Sequence, residues 1–427
     1  MISITKSVLW LILSIVSAGS MVYYVIEIWG YGQPAHFSDL YAPWWGSHEL
    51  LLHKRNPYSP AVAHEIQTVI YGAPVNPSAT DPSGMAGGFA YPPYAAFLLW
   101  PAVYMSFSAA QKVFLCASVL AVLLSLAFWL RALSFRASPL HWLTFALFVL
   151  GSFPVLQGLE LQNLSLIASA LIAVTAILLS TNHLVLAGIF LAASTFKPQF
   201  TVALIPWLVL WSFADWHRRR SLVWSFLLTM LFLILASEWL MPGSISSFLH
   251  IVRAYRHYTY GHSLLDVWLT PTLGPFASAI LLVSGLTWCW PDRSQSADSP
   301  RFIAVISLLL AATIVVIPTL APHAQLLLLP GFLSLLRGKA LLLRSDSVAR
   351  VVPVAAWALL AWPWVAAFGL LAASLRHPPG KLLAFWEVPL YTSPLLPLAV
   401  LLALGCLVRS TSGPVGQEVL GTPSAAP

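Results

Sequence analysis

The chain has 427 residues, of which 59% are hydrophobic and only 8% are charged. Soluble domains carry about 25% charged residues, so the composition excludes an ordinary soluble protein and predicts a polytopic α-helical membrane protein. The net charge of +7 comes from scattered Lys and Arg residues, which suits contact with anionic membrane lipids and argues against a nucleic-acid partner.

The first apolar run, residues 7–29, is predicted to be a retained membrane helix because it is too long for the apolar part of a signal peptide. A polar interruption rich in Pro and Gly follows at 30–88, and a second interruption lies at 242–270. About twelve transmembrane helices are predicted in all, near residues 7–29, 109–130, 139–156, 162–180, 184–196, 199–214, 221–241, 271–290, 301–320, 323–336, 351–373 and 389–408.

The sequence "WHRRR" at 216–220 is predicted to be cytoplasmic by the positive-inside rule. Helix alternation then places 30–88 and 242–270 outside and both termini inside. Residues 89–105 could lie at the outer interface or could span; the first interpretation is favoured because it puts later polar motifs on the side of Asp39. We expect a single membrane domain over 1–409 and a disordered, Pro/Gly/Ser-rich tail at 410–427.

"HFSDLYAPWW", residues 36–45, places Asp39 among aromatic rings just after the first apolar run. Two interpretations are open. Asp39 could be a solvated acid in a headgroup belt, which the residue types alone favour. It could instead be a general base whose pKa is raised by partial desolvation.

The second interruption, "LHIVRAYRHYTYGHSLLDVW", contains Arg253, Arg256, His257 and His262. Arg recognises phosphate through paired hydrogen bonds, although a polar loop resting on lipid headgroups is the competing interpretation. The histidine spacings match no familiar zinc motif, and the long loops hold no D-x-D pair, so the sequence predicts no metal site and no cofactor.

Three shorter motifs add candidate residues. "FKPQ" sets Lys197 before a helix-breaking Pro, where a lysine is either functional or reaching for the interface. "QGLELQN" at 157–163 offers Glu160, Gln162 and Asn163, or is simply a turn. "IPTLAPHAQLLLLP" contains His323, either a packing residue or an acid, base or phosphate donor.

In this order the motifs resemble those of glycosyltransferase family 87, the polyprenol-phosphate-mannose-dependent mannosyltransferases of the GT-C superfamily. Asp39 followed by "GSHELLLHKRNPY" is similar to the family's first outer loop, and "FAYPPYAAFLLWP" is similar to its Tyr-Pro-Pro segment. "FKPQ" matches the family's Lys-Pro. The spacing of Pro318, His323 and Pro330 is the same as in a later segment of the family, although Ile317 stands where that segment usually has Ser. "QGLELQN" and "GHSLLD" resemble Gly-Gln-x-Asn and Asn-Gln-Ser-Leu elements, with a displaced Gly and with Gly261-His262 as departures.

The resemblance covers residues 1 to about 335 and implies a GT-C-type helical bundle with outer juxtamembrane loops. It implies a metal-independent, inverting transfer of a hexose, mannose in the family, from a polyprenyl-phosphate donor to a lipid-linked or glycan acceptor. The expected location is the outer face of a bacterial cytoplasmic membrane. Asp39 would be the general base and His323 a second catalytic residue. The implied substrate contacts are Lys197, Arg253, Arg256, His257, His262, Gln162, Asn163, Tyr58 and Tyr91.

Two other classes of function stay open at this point. A lipid or polysaccharide transporter would need a polar path across the bilayer or inverted repeats with broken helices, and a purely structural membrane protein would make the motif order a coincidence. The sequence contains no Walker A loop and no dinucleotide-binding fingerprint, which argues against a nucleotide-driven pump.

Overall fold

The computed structural model describes residues 2–29, 38–78, 81, 84–258, 262–318, 321–344, 347–385, 388 and 394–410. This part of the chain is helical and contains no sheet. Its α-helices are α1 (Ile2–Tyr23), α2 (Tyr41–His53), α3 (Pro60–Tyr71), α4 (Ala95–Leu99), α5 (Phe107–Ala132), α6 (Pro139–Leu150), α7 (Phe153–Glu160), α8 (Ser165–Ser180), α9 (Leu184–Ser194), α10 (Leu204–Ala214), α11 (Trp216–Leu240), α12 (Ser244–Tyr258), α13 (Leu264–Trp268), α14 (Leu273–Trp288), α15 (Pro300–Val316), α16 (Leu329–Arg337), α17 (Lys339–Arg344), α18 (Ser347–Ser374), α19 (Pro379–Leu382) and α20 (Leu395–Ser410). A π-helix (Tyr24–Trp29) extends α1, and 3₁₀ turns include Ala102–Tyr104, Pro198–Phe200, Trp290–Ser294 and Pro322–Leu328.

Several helices begin at a serine that caps their first turn. The hydroxyls of Ser59, Ser106, Ser138 and Ser299 each accept a hydrogen bond from the backbone N–H three residues later. After Ser59, Ser138 and Ser299 the next residue is Pro, whose fixed φ suits the first helical position and whose missing N–H costs nothing there. These local signals fix where α3, α5, α6 and α15 start.

Within the described residues, four helices are long and apolar enough to cross a membrane, namely Ser7–Ile28, Phe107–Ala132, Trp216–Leu240 and Arg350–Ser374. A fifth span results if α6 and α7, bent by 59°, count as one. The predicted total of about twelve is therefore not confirmed, because other predicted spans correspond to shorter apolar helices of 10–17 residues. Residues 89–105 contain only α4 and a 3₁₀ turn, neither long enough to span.

Close contacts between helices fix their relative directions. Ser7 bonds His141 near the start of α6, and Gly151 after the end of α6 touches Ala18, so α1 and α6 run the same way. On α9, Gly188 lies against Ser225 of α11, and the Thr195 hydroxyl after α9 contacts the Met230 sulfur at 3.3 Å. Helices α9 and α11 are therefore also parallel, and a Cβ at either glycine would collide with the neighbouring helix.

One end of the bundle gathers the end of α10, the start of α11 and the 290–294 turn. Arg219 donates to the carbonyl oxygens of Trp211 at 2.8 Å and Arg293 at 2.9 Å, and its guanidinium lies 3.9 Å from the Trp211 ring centroid. We call this the Arg219 end. Because α9 is parallel to α11, α9 begins at the Arg219 end, where a three-residue turn joins it to α8. The start of α8 and the end of α9 therefore lie toward the opposite end of the bundle.

Helix α15 forms the centre of the core. Every residue from Phe302 to Val316 is buried, as expected for a helix that is apolar on all sides and surrounded by others. It packs against α14, α16 and α20. The 322–328 turn that carries His323 also packs against α15.

Candidate active site

The turn that holds Asp39 is fastened to a distant segment of the chain. The Asp39 N–H donates to the Leu161 carbonyl at 2.8 Å, and the Ser38 hydroxyl donates to Gln162 Oε1 at 2.6 Å. The same hydroxyl accepts from the Leu40 N–H at 3.2 Å. These bonds hold the start of α2 against the end of α7. In the sequence, Asp39 follows the first candidate span, Ser7–Ile28.

Gln162 gives this junction its shape. Its φ of 55° lies in the left-handed region, and the Asn163 N–H bonds the Gly158 carbonyl at 2.8 Å, which closes α7 in the manner usually assigned to glycine. A side chain in that conformation costs about 1–2 kcal/mol. Hydrogen bonds from Ser38 and from Gln111 Nε2, at 3.1 Å, hold the Gln162 amide. The predicted substrate residue Gln162 thus positions the Asp39 turn.

Asn163 links an acid to an amine. Its Nδ2 donates to Asp39 Oδ2 at 2.5 Å, and its Oδ1 accepts from Lys197 Nζ at 2.8 Å and from the Ser165 N–H at 2.9 Å. Lys197 also donates to Ser165 Oγ at 2.7 Å. Since donors hold Oδ1 and an acceptor holds Nδ2, the orientation of the amide is determined. We call Asp39, Asn163, Ser165 and Lys197 the Asp39–Lys197 cluster.

The electrostatics of the cluster favour a basic carboxylate. Burial raises the pKa of Asp39, while the Asn163 hydrogen bond and the positive charge of Lys197 act in the opposite direction. Asn163 and Lys197 are 6% and 7% exposed, whereas Asp39 is only partly buried. Asp39 is therefore a carboxylate with increased proton affinity that a ligand can still reach.

Aromatic side chains surround the lysine. Lys197 Nζ lies 5.8 Å from the ring centroid of Tyr91 and 5.6 Å from that of Phe200. The Tyr58 hydroxyl donates to the Tyr91 carbonyl at 2.7 Å, and Tyr58 itself is buried against Phe89. Tyr91 therefore lies next to the cluster, while Tyr58 bonds the Tyr91 backbone and holds it in place.

His323 occupies the 322–328 turn beside α7. The backbone N–H of His323 donates to Gln157 Oε1 at 3.2 Å. Gly158 is also close, since a Cβ added to Gly158 would lie 3.2 Å from His323 Cβ. The ring nitrogen Nδ1 is buried and has no hydrogen-bond partner among the described residues. A buried polar atom left unpaired costs about 1–3 kcal/mol, so this nitrogen is a candidate for a substrate contact.

Of the residues predicted in the second interruption, Arg253 and His262 are not joined to the Asp39–Lys197 cluster by any contact among the described residues. Arg253 is exposed on α12 and His262 is partly exposed, and neither forms a hydrogen bond or an ion pair within the described residues. The side chains of Arg256 and His257 lie outside the described part of the chain. Their binding of a donor phosphate stays a prediction.

Two further acids lie in the quoted motifs, Asp266 and Glu160, and both have simpler explanations. Asp266 Oδ2 accepts from the Ser263 N–H at 2.7 Å, while Ser263 Oγ accepts from the Asp266 N–H, which makes Asp266 part of the cap of α13. Glu160 is exposed at the end of α7. The sequence did not single out four polar residues that support the cluster: Ser38 and Gln157, which lie within the quoted motifs "HFSDLYAPWW" and "QGLELQN", and Gln111 and Ser165, which lie outside any quoted motif.

The fold and the site together define an integral membrane protein with a partly buried acid beside a buried amide and a buried amine at one end of a helical bundle. The family model for glycosyltransferase family 87 matches residues 89–345, which is more than half of the chain. The chain belongs to glycosyltransferase family 87 and is a membrane glycosyltransferase. No curated protein and no solved structure matches it.

The family match confirms the resemblance predicted from the motifs. The matched segment includes Tyr91, Asn163, Lys197 and His323, while Asp39 and Tyr58 precede it. The hydrogen bond between Asp39 and Asn163 connects the part of the chain before the match with the matched part.

Replacing His323 with Phe separates a functional histidine from a packing one. Phe keeps a ring of similar size and removes the unpaired Nδ1, so the free energy of unfolding is expected to stay equal or rise by about 1 kcal/mol. Transfer activity is expected to fall at least tenfold if Nδ1 contacts the substrate. Thermal unfolding and initial rates of the purified variant provide the measurement. A stable, fully active His323→Phe enzyme would assign His323 to packing.

Proposed function

We propose that the protein transfers a hexose, by family resemblance mannose, from a polyprenyl-phosphate donor to a lipid-linked or glycan acceptor. The observation that carries the proposal is the Asp39–Asn163–Lys197 connection, which holds a proton acceptor and a cation on opposite sides of one amide. Membership of the glycosyltransferase family favours this function over the transporter alternative.

In the proposed reaction, Asp39 takes the proton of an acceptor hydroxyl as its oxygen forms a bond to the anomeric carbon. The bond between that carbon and the donor phosphate oxygen breaks at the same time, and the polyprenyl phosphate leaves with the electron pair. Lys197 neutralises the negative charge that develops on the phosphate. A single displacement from the side opposite the leaving group inverts the configuration of the anomeric carbon.

His323 would serve the same step from a second direction. Its 3₁₀ turn contacts α7, which ends three residues before Asn163, and its backbone N–H donates to Gln157 Oε1. A neutral imidazole with Nδ1 protonated can donate a hydrogen bond to the phosphate, and with Nδ1 unprotonated it can accept one from an acceptor hydroxyl. The amphipathic α12 with Arg253 would face the membrane surface near the donor headgroup.

A donor test addresses the proposed function. Membranes containing the protein are supplied with radiolabelled polyprenyl-phosphate mannose or with a radiolabelled nucleotide mannose, with enzymes that interconvert the two donors removed. Label is expected to enter lipid or polymer fractions from the polyprenyl donor alone. Transfer from the nucleotide sugar but not from the polyprenyl donor would contradict the proposal.

The proposed orientation places the Asp39–Lys197 cluster toward the outer face. The Arg219 end carries Arg218, Arg219 and Arg220 on one helix start, which the positive-inside rule assigns to the cytoplasm. In a cysteine-free background, Ser246→Cys at the start of α12 should react with an impermeant maleimide in intact cells. Ser294→Cys, at the Arg219 end, should react only after permeabilisation. Labelling of Ser294→Cys but not of Ser246→Cys in intact cells would show the opposite orientation in the membrane.

A further inference from the structure

The far end of α2 contains a second cluster of chemically active side chains. Glu49 is 2% exposed, and its Oε1 lies 3.2 Å from His48 Nδ1 and 3.0 Å from His53 Nδ1. One possible ligand atom of each of the three residues lies within 4.8 Å of the other two. The three side chains thus bring one potential metal-ligand atom each close enough together to contact a single ion.

The backbone turn after α2 brings Arg55 to the side of Glu49 that faces away from the two histidines. Helix α2 ends where Lys54 adopts φ 55°, and the Lys54 and Arg55 N–H groups both bond the Glu49 carbonyl. The turn lets Arg55 donate to Glu49 Oε2 at 2.5 Å. Because Oε2 is held by Arg55, the other oxygen, Oε1, is left facing the two histidines.

Neighbouring groups hold these side chains in place. Arg55 also pairs with Glu65 at 2.6 Å, and Trp45 Nε1 donates to Glu65 at 2.9 Å. The Trp45 ring stacks on His48 with centroids 5.1 Å apart and planes 8° apart. Two carboxylates against one guanidinium leave a net charge of −1 when both histidines are neutral. Orientation of the ligand side chains by such outer contacts is a feature of metal sites, and a residual negative charge attracts a cation.

We propose that His48, Glu49 and His53 form a binding site for a zinc-class divalent transition metal. Zinc takes imidazole nitrogen and carboxylate oxygen at about 2.0–2.2 Å, which sets ligand atoms about 3.4 Å apart in a tetrahedron. The His–Glu separations of 3.0 and 3.2 Å are close to that spacing. His48 and His53 are 20% and 53% exposed, so the fourth position opens to water or to a ligand.

The site lies on the helix that follows Asp39 but is separate from the Asp39–Lys197 cluster. It goes beyond the proposed transferase chemistry, because none of its residues takes part in the proposed displacement. A bound ion would hold together residues of the last turns of α2, and the Arg55 ion pairs with Glu49 and Glu65 link these turns to α3. Hydrogen bonds from both imidazoles to Glu49 Oε1 would give the same geometry without metal, and the experiment must separate these two cases.

The test uses the full-length protein in detergent, stripped with a chelator and titrated with Zn²⁺ alone by calorimetry. His48→Asn and His53→Asn are the informative variants, since Asn keeps a donor near the position of Nδ1 but is a poor zinc ligand. His64→Asn, at an exposed histidine on the adjacent α3, is the matched control. Co²⁺ absorption spectra provide a second readout of nitrogen and oxygen ligands.

We expect one Zn²⁺ per chain in the wild type and in His64→Asn, with affinity reduced about tenfold or more in His48→Asn and His53→Asn. Metal-free unfolding temperatures of the four proteins should agree. Absence of saturable Zn²⁺ binding, or unchanged affinity in the His48→Asn/His53→Asn double variant, would show a hydrogen-bonded cluster and overturn the proposal.

Discussion

Replacing Asp39 with Asn is expected to lower the rate of glycosyl transfer about 10²–10⁴-fold, the usual contribution of a general base. Asn has nearly the same shape and can still accept the hydrogen bond that Asn163 donates to Asp39, but it cannot take the acceptor's proton. The variant should therefore fold, enter the membrane and bind donor. Initial rates of purified wild-type and variant protein, with donor binding measured separately, provide the test.

The pH dependence of the wild-type transfer rate is a second test of Asp39 as the general base. Transfer requires the ionised carboxylate, so the rate should fall as pH drops through the Asp39 pKa. Because burial raises that pKa, the fall should begin at a higher pH than an ordinary aspartate would give. Glu160→Gln, at an exposed acid, is the matched control and should retain wild-type rates. Near-normal turnover by Asp39→Asn would remove Asp39 as the base.

Replacing Lys197 with Met is expected to reduce transfer about 10²–10³-fold, the range seen when one donor to a developing negative charge is lost. Met fills a similar volume but carries no charge. It leaves Asn163 Oδ1 and Ser165 Oγ without the lysine hydrogen bonds at 2.8 and 2.7 Å, so the free energy of unfolding should fall by about 1–3 kcal/mol. Activity assays and chemical unfolding of the purified variant measure the two effects.

Lys112→Met is the matched control for this change, because Lys112 is an exposed lysine on α5. The control should keep both activity and stability. A Lys197→Met protein that is destabilised but transfers at the wild-type rate would limit Lys197 to a structural role, and the donor phosphate would then have to bind elsewhere.

The helical character of the chain could be predicted from the sequence because apolar runs and Ser-Pro starts are local signals. The number of spans could not be counted the same way. The predicted runs 184–196 and 199–214 correspond to α9 and α10, which have 11 residues each and are separated by the Lys197-Pro198 break. Composition detects apolarity, while helix length depends on where polar residues and prolines interrupt the backbone hydrogen bonds.

The site was predictable in its members more than in its connections. Asp39, Asn163 and Lys197 were identified from motif order, but the hydrogen bond between Asp39 and Asn163 joins residues 124 positions apart. No local pattern encodes that contact, because it depends on how α2, α7 and α9 pack. The same limit explains why Gln162 looked like a substrate residue, whereas its amide holds Ser38 and Gln111.

The position of a bound donor tests the central claim most directly. A structure determined by electron cryomicroscopy of the Asp39→Asn protein with polyprenyl-phosphate mannose should place the donor phosphate within hydrogen-bond distance of Lys197. The face of the anomeric carbon opposite the phosphate should then be open toward residue 39. A phosphate bound away from Lys197, or a sugar whose anomeric carbon cannot be approached from the side of residue 39, would contradict the proposed mechanism.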